Sequence, residues 1–377
     1  MKPAFRITIN RQELTQAVID RVLEVRIEDS AGYDNDNCLI KLDGRAPFLK
    51  FPKTGAIAEV SLGYEDMPNS AHALASDRLT VGLTTLGRYS LGEIDFDGPP
   101  WTLELNFTAM SMESFPKTAQ NDTHENTTLG AIVKKLARRM GYTPDVHPSF
   151  DSIQIAFEQQ KNVTDMEFIN FLAQRYGAFP KVGIATDPAS VKVINNTLRF
   201  HPKDGANFVD EYLEVQQCFP GSINFHTHVR SVYGQIQAAT FSYDTGELLR
   251  VATDVNVPET SGLPVVMELS RLYDTAEKAR AAAEAKREFL DAEKNTLTFK
   301  TGGNPRFQSH RKLFLIGDGW HPDIPRKWII VSSTHSFTKG ADGETGYTTT
   351  VHCQLLLGGV EDSDNPQNAL PTTVVGQ

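Results

Sequence analysis

The chain has 377 residues, 40% of them apolar and 22% charged, and carries a formal net charge of −10. That length exceeds one ordinary core and calls for two to four domains, while the composition is that of soluble globular protein. The acidic balance argues against general nucleic-acid affinity, which rests on neutralising phosphates with Lys and Arg.

The opening stretch MKPAFRITINRQELTQ turns polar within a few residues and has no signal-peptide core, so synthesis and folding in a cytosol are expected. No apolar run is long enough to span a bilayer. From Arg21 to Met112 the pattern has period two: Leu23, Val25 and Ile27; Val60, Leu62 and Tyr64; Leu79, Val81 and Leu83; Ile94 and Phe96; Leu103, Leu105 and Phe107. Such alternation predicts antiparallel strands with one buried face, and their number without intervening helices predicts a small barrel or sandwich. Residues 65–77 are expected to form an exposed loop, and residues 114–128 a polar linker.

Leu129, Ile132, Val133, Leu136 and Met140 then mark a helix that stops at Gly141, with Lys134, Lys135, Arg138 and Arg139 on its wet side. A short strand follows at Ile153, Ile155 and Phe157. Thr164 and Glu167 form a capping-box pattern, and Phe168, Phe171, Leu172 and Tyr176 supply an apolar stripe that Gly177 ends. Residues 180–190 are expected to be loop and residues 192–200 strand. Alternation resumes at Ile223, Phe225, Thr227 and Val229, and continues through 231–240 and 248–257. A long helix is predicted over 274–294, where Ala282, Ala285, Phe289 and Ala292 give a narrow apolar seam. Strands are predicted again at 312–316, 327–333 and 347–356, and residues 358–377 are expected to form a flexible tail.

Little in this pattern points to chemistry. Glu93, Asp95 and Asp97 share a strand face and could hold a cation or run acid–base hydrolysis, but the solvated face of a strand explains them as well. The run Asp34–Asn–Asp–Asn37 begins like a calcium loop, yet Cys38, Leu39 and Arg45 stand where ligands and a glycine are required, so it is a polar turn. His226 and His228 face the same way on a strand without an identifiable third ligand. Cys38, Cys218 and Cys353 lie far apart, without C-x-x-C spacing, and are expected to be buried reduced thiols. No catalytic, cofactor-binding or metal-ligating residue is assigned.

Four stretches, taken in order and spacing, resemble a known family. They are GAIAEVSLGY (55–64), LGRYSLGEIDFDGPPWTLELNFTAMSM (86–112), KTAQNDTHENTTLGAIVKKLARRMGY (117–142) and DMEFINFLAQRYGAF (165–179). Together they are similar to the late control D family, the baseplate hub proteins of contractile-tailed phages, and more distantly to the amino-terminal part of type VI secretion spike proteins. The resemblance implies a mainly β fold with an α+β part: two tail-tube-like antiparallel β-barrels, 1–113 and 204–357, flanking an α+β module with two helices at 114–203, with the tail at 358–377. It also implies a structural role in the baseplate of a phage tail or prophage-derived particle, assembled in the bacterial cytoplasm. A homotrimeric ring would adapt a sixfold tail tube to a threefold central spike, with the tube protein, the spike and other baseplate proteins as partners. No cofactor, no sequence-specific nucleic acid and no membrane insertion are expected. The competing reading is an enzyme, a tail-associated cell-wall hydrolase using Glu93 and Asp95. A nucleic-acid-binding regulator would need a larger basic surface than Lys134–Arg139 supplies.

Overall fold

The computed structural model describes residues 2–31, 36–65, 82–109, 118–186, 193–202, 209–227, 233–241, 248–254, 265–273, 275–340 and 342–356. The first β region comprises β1 (Pro3–Ile9), β2 (Gln12–Glu13), a one-turn helix α1 (Gln16–Ile19), β3 (Val22–Ser30), β4 (Asn37–Asp43), β5 (Ile57–Tyr64), β6 (Thr84–Asp97) and β7 (Thr102–Thr108). A middle module follows with β8 (Gln120–Thr128), α2 (Leu129–Arg139), β9 (Thr143–Val146), β10 (Gln154–Val163), α3 (Asp165–Tyr176), β11 (Ala178–Thr186) and β12 (Val193–Pro202). The second β region holds β13 (Val209–Glu214), β14 (Asn224–Thr227), β15 (Tyr233–Phe241), β16 (Leu248–Asp254), β17 (Val265–Tyr273), α4 (Ala276–Lys294), β18 (Asn295–Gly302), β19 (Arg311–Ile316), β20 (Lys327–Lys339) and β21 (Thr345–Leu355). The fold is mainly antiparallel β with few helices, as the alternating pattern predicts.

The two β regions share a sheet, from which β16–β15–β17 stand apart as a separate three-stranded sheet. Among the described residues one sheet runs β14–β18–β21–β20–β3–β4–β7–β6–β5–β1–β2, with β19 and then β13 attached at β20. The seam is the antiparallel pair β3–β20, from Ser30 opposite Ser332 to Glu24 opposite Thr338. Side chains cross it as well: Phe337 and Tyr347 belong to the apolar core of the first region, among Val25, Ile27, Val60 and Leu105. Phe5 meets Phe337 edge-on at 4.9 Å, and the Tyr64 hydroxyl donates to the Gly303 carbonyl at 3.0 Å.

The middle module has its own core, built from Leu129, Ile132, Leu136, Phe168, Ile169, Leu172, Leu198 and Phe200. Helix α3 has the predicted ends. The Thr164 hydroxyl accepts from the Glu167 N–H at 3.3 Å, the Glu167 carboxylate accepts from the Thr164 N–H at 2.7 Å, and Gly177 takes the left-handed conformation (φ 64°) that other residues adopt only at a cost. Thr164→Ala is expected to lower stability by about 1 kcal/mol, read as a lower urea midpoint at unchanged slope.

Several expectations need correction. Residues 120–128 form a strand rather than a linker. β8 pairs with β10 through its backbone and buries only His124 among polar neighbours, so it carries no apolar alternation. β11 occupies most of the expected loop. It is the edge of the β11–β12–β9 sheet, where Pro180 can sit without breaking an interior ladder. Strand β10 extends to Val163, and its Phe157 is exposed. In β3 it is Val22, not Leu23, that joins Val25 and Ile27 in the core, because a register shift between Val22 and Glu24 changes the phase. β1, β9, β13, β17 and β18 add strands that the pattern had not marked. Ala279 and Ala283 form the buried seam of α4, with Ala282 partly buried beside them, while the side chains of Ala285, Phe289 and Ala292 lie outside the described residues. So do Asp34, Leu79, Val81, His228, residues 66–77 of the expected loop and the 358–377 tail.

Candidate functional site

The point where all three parts of the chain meet is a buried charge cluster. Lys181 stands on β11, directly after the turn that Gly177 makes possible. Its ammonium donates to Asp29 Oδ1 on β3 and to Ser309 Oγ ahead of β19, with the Ser30 carbonyl at 3.3 Å and Asp36 Oδ1 at 3.4 Å. Ser309 ties the second region to the same carboxylate: its N–H donates to Asp29 Oδ2 and its hydroxyl to Oδ1, both at 2.7 Å. The Ser30 N–H donates to Asp36 Oδ1 at 3.0 Å. Lys181, Asp29 and Asp36 keep only 11%, 12% and 11% of their side-chain surface.

Their electrostatics follow from that crowding. Burial alone would push the Asp29 carboxyl up, but the charge of Lys181 and the hydrogen bonds from Lys181 and Ser309 outweigh it and hold Asp29 below the usual carboxylate range. Burial raises Asp36 to about 7, Lys181 pulling it down and Asp29 pushing it further up. Burial works against the Lys181 ammonium, yet the two aspartates more than compensate and raise its pKa. Beside the cluster His310 packs against Phe179 at 5.5 Å between ring centres, linking β11 to the second region again. Further along, Arg175 of α3 reaches Glu158 at 2.6 Å and lies over the Tyr273 ring at 5.5 Å, where α3 packs on α4.

The residues weighed for chemistry are not brought together. Glu93 and Asp97 are exposed on β6, and Asp95 accepts a hydrogen bond from Asn106 at 2.9 Å. His226 is exposed on β14. Among the described residues no group of three His, Cys, Asp or Glu side chains is placed to hold a metal. Cys38 and Cys353 are buried and Cys218 half-buried, all free thiols. Two members of the junction lie where the sequence predicts other structure: a polar turn at Asp36 and a loop at Lys181. The usable signal was Asp29, two residues beyond Ile27 on a strand whose alternate positions are apolar, which puts a carboxylate on the core side.

The first region also exposes an aromatic cluster. Phe96 stacks on Trp101 at 5.1 Å and lies 6.2 Å from Phe48 and 5.6 Å from Phe51; Phe48, Phe51 and Trp101 are 66%, 48% and 38% exposed. Lys50 and Lys53 stand exposed on the same loop.

No family model matches the chain. It is 23% identical to the "Probable baseplate hub protein" of Escherichia phage P2, across 96% of this chain and 95% of that one. It is 25% identical over 178 residues to the protein of the same description in Escherichia phage 186, which spans 47% of this chain and 42% of the relative. Among solved structures, the 43 kDa tail protein of prophage MuSo2 from Shewanella oneidensis superposes with a TM-score of 0.65 at 11% identity, covering 94% of this chain and 99% of that one. The Escherichia coli c3393 protein, a type VI secretion component, gives 0.52 at 12% identity over 92% of this chain and 76% of its own. With one β sheet that draws strands from both β regions and similarity over nearly all of its length, the chain resembles the probable baseplate hub proteins of phages P2 and 186 and has the fold of phage tail proteins.

Proposed function

We propose that this tail protein is a non-enzymatic hub, three copies of which close into a ring that adapts a sixfold tail tube to a threefold central spike. On this reading residues 1–113 and 204–357 are the two tube-like β domains, 114–203 is the module between them, and the ring assembles in the host cytoplasm alongside other baseplate proteins. The observation that carries it is the match to the probable baseplate hub protein of phage P2 across 96% of this chain and 95% of that one. A ring of identical subunits needs a heterologous contact whose rotation closes. We place that contact at Phe48, Phe51, Phe96 and Trp101: exposed aromatic clusters of this kind anchor interfaces, and Lys50 and Lys53 suit the surface of a second copy of an acidic chain.

Light scattering on the purified chain is expected to give three times 41.8 kDa, and a stable dimer overturns the ring. The double substitution Phe51→Ser/Trp101→Ser is expected to yield folded monomer with unchanged circular dichroism. A trimer that persists in this variant removes the contact from the aromatic cluster.

A further inference from the structure

We propose that Asp36 is a proton-carrying latch: it stays neutral while Lys181 and Asp29 pair beside it, and its ionisation loosens the middle module from the two β regions. The inference is independent of the hub reading and rests on a charge count. One ammonium and two carboxylates share a buried space, and they are not equally served. Asp29 takes the close Lys181 contact and both Ser309 donors, whereas Asp36 has the Ser30 N–H and a Lys181 nitrogen at 3.4 Å. A second buried negative charge would lack a counter-charge, and a proton is the smallest group that removes it.

The neighbouring elements bring no further cation to Asp36 among the described residues. His310, ahead of β19, is held neutral by burial and by Lys181. His335 on β20 is pushed down to about 4 by burial and is neutral near pH 7. On β4 and β6, burial pushes the Cys38 thiol and the Tyr89 hydroxyl up, so both stay uncharged. Arg199 on β12 is engaged with Asp145 at 3.2 Å. The consequence is local to the joint. Lys181 touches both β regions at once, so a charge that disturbs its pairing disturbs both attachments together.

The sign of the pH dependence is fixed by these groups. Asp36 binds its proton more tightly in the folded chain, so its contribution to stability is full below 3.8 and is lost as pH rises through about 7. Asp29 acts oppositely: its contribution is present above 3.8 and fails in acid. His335 also opposes Asp36, contributing fully above 6.5 and losing that contribution as pH falls towards about 4. The wild-type profile therefore mixes opposing trends, and the gap between wild type and Asp36→Asn isolates the latch, because Asn mimics the neutral acid.

Urea unfolding of both proteins from about pH 5 to about pH 9 tests it. Relative to the variant, wild type is expected to be most stable at the acid end of that range. Within the range from 3.8 to about 7, the wild-type unfolding constant should rise relative to the variant by up to about tenfold per pH unit. A gap that is constant across pH overturns the proposal. Should the variant fail to fold, infrared spectra of the wild type decide: a protonated-carboxyl band lost between about pH 6 and about pH 8 is expected. A spectrum without that band overturns the latch. Hydrogen exchange in β11, corrected for its intrinsic rate, should quicken above neutral pH in wild type but not in Asp36→Asn; equal protection in both proteins overturns the loosening.

Discussion

Trp328→Ala is expected to lower the unfolding free energy by about 3–5 kcal/mol, the usual loss for a fully buried aromatic side chain. Trp328 is among the largest fully buried side chains described, packed among Leu297, Phe299, Leu313 and Cys353 and meeting Phe225 edge-on at 6.0 Å. Its indole N–H donates to the Pro325 carbonyl at 2.6 Å, so truncation removes a hydrogen bond as well as apolar contacts. The position matters beyond its volume. β20 carries Trp328 at one end and the β3 pairing along the rest, so a cavity here weakens the strand that joins the two β regions. Urea or thermal unfolding should show the loss as a clear fall in midpoint. Phe48→Ala is the control: Phe48 is 66% exposed, so its change should stay below about 1 kcal/mol in the monomer.

Arg139→Met should cost about 3 kcal/mol or more, because it leaves a buried carboxylate without its cation. Asp165, only 1% exposed, receives one guanidinium edge of Arg139 through two donors: Nε donates to Oδ2 at 2.7 Å and Nη2 to Oδ1, while Nη2 also reaches Gln160 Oε1 at 2.9 Å. Two features soften the loss. Gln160 Nε2 still donates to Asp165 at 2.9 Å, and Asp165 opens α3, where the helix dipole favours negative charge. The second substitution Asp165→Asn in the Arg139→Met background should restore part of the stability, since it removes the stranded charge. An equally unstable double variant in equilibrium unfolding would assign the cost of Arg139→Met to packing instead.

Much of this architecture was legible because it is periodic. The helices at 129–139 and 165–176 announce themselves through apolar spacing and caps, and β7 through strict alternation. What escaped was structure held by groups without a periodic signature. β8 is a polar strand fixed by its partner β10, and β11 is an edge strand with a proline near its start. Arg139 is exposed on the wet face of its helix, as the sequence predicts, but its partner Asp165 comes from an element that sequence spacing cannot bring near. The junction illustrates the limit most clearly. Asp29, Asp36, Lys181 and Ser309 are drawn from four separate segments, and only the closed fold makes neighbours of them.

The β3–β20 ladder also constrains how the molecule comes into being. On the ribosome, β3 and β4 can form their hairpin early, but the other flank of β3 stays bare until Ser332–Thr338 have been made, most of a chain length later. Contacts so distant in sequence close slowly, and an open strand flank invites pairing with a stranger. Neither half should therefore behave as a free-standing fragment. Expressed alone, each would be prone to aggregate, and the two made together should recover solubility by completing each other's sheet.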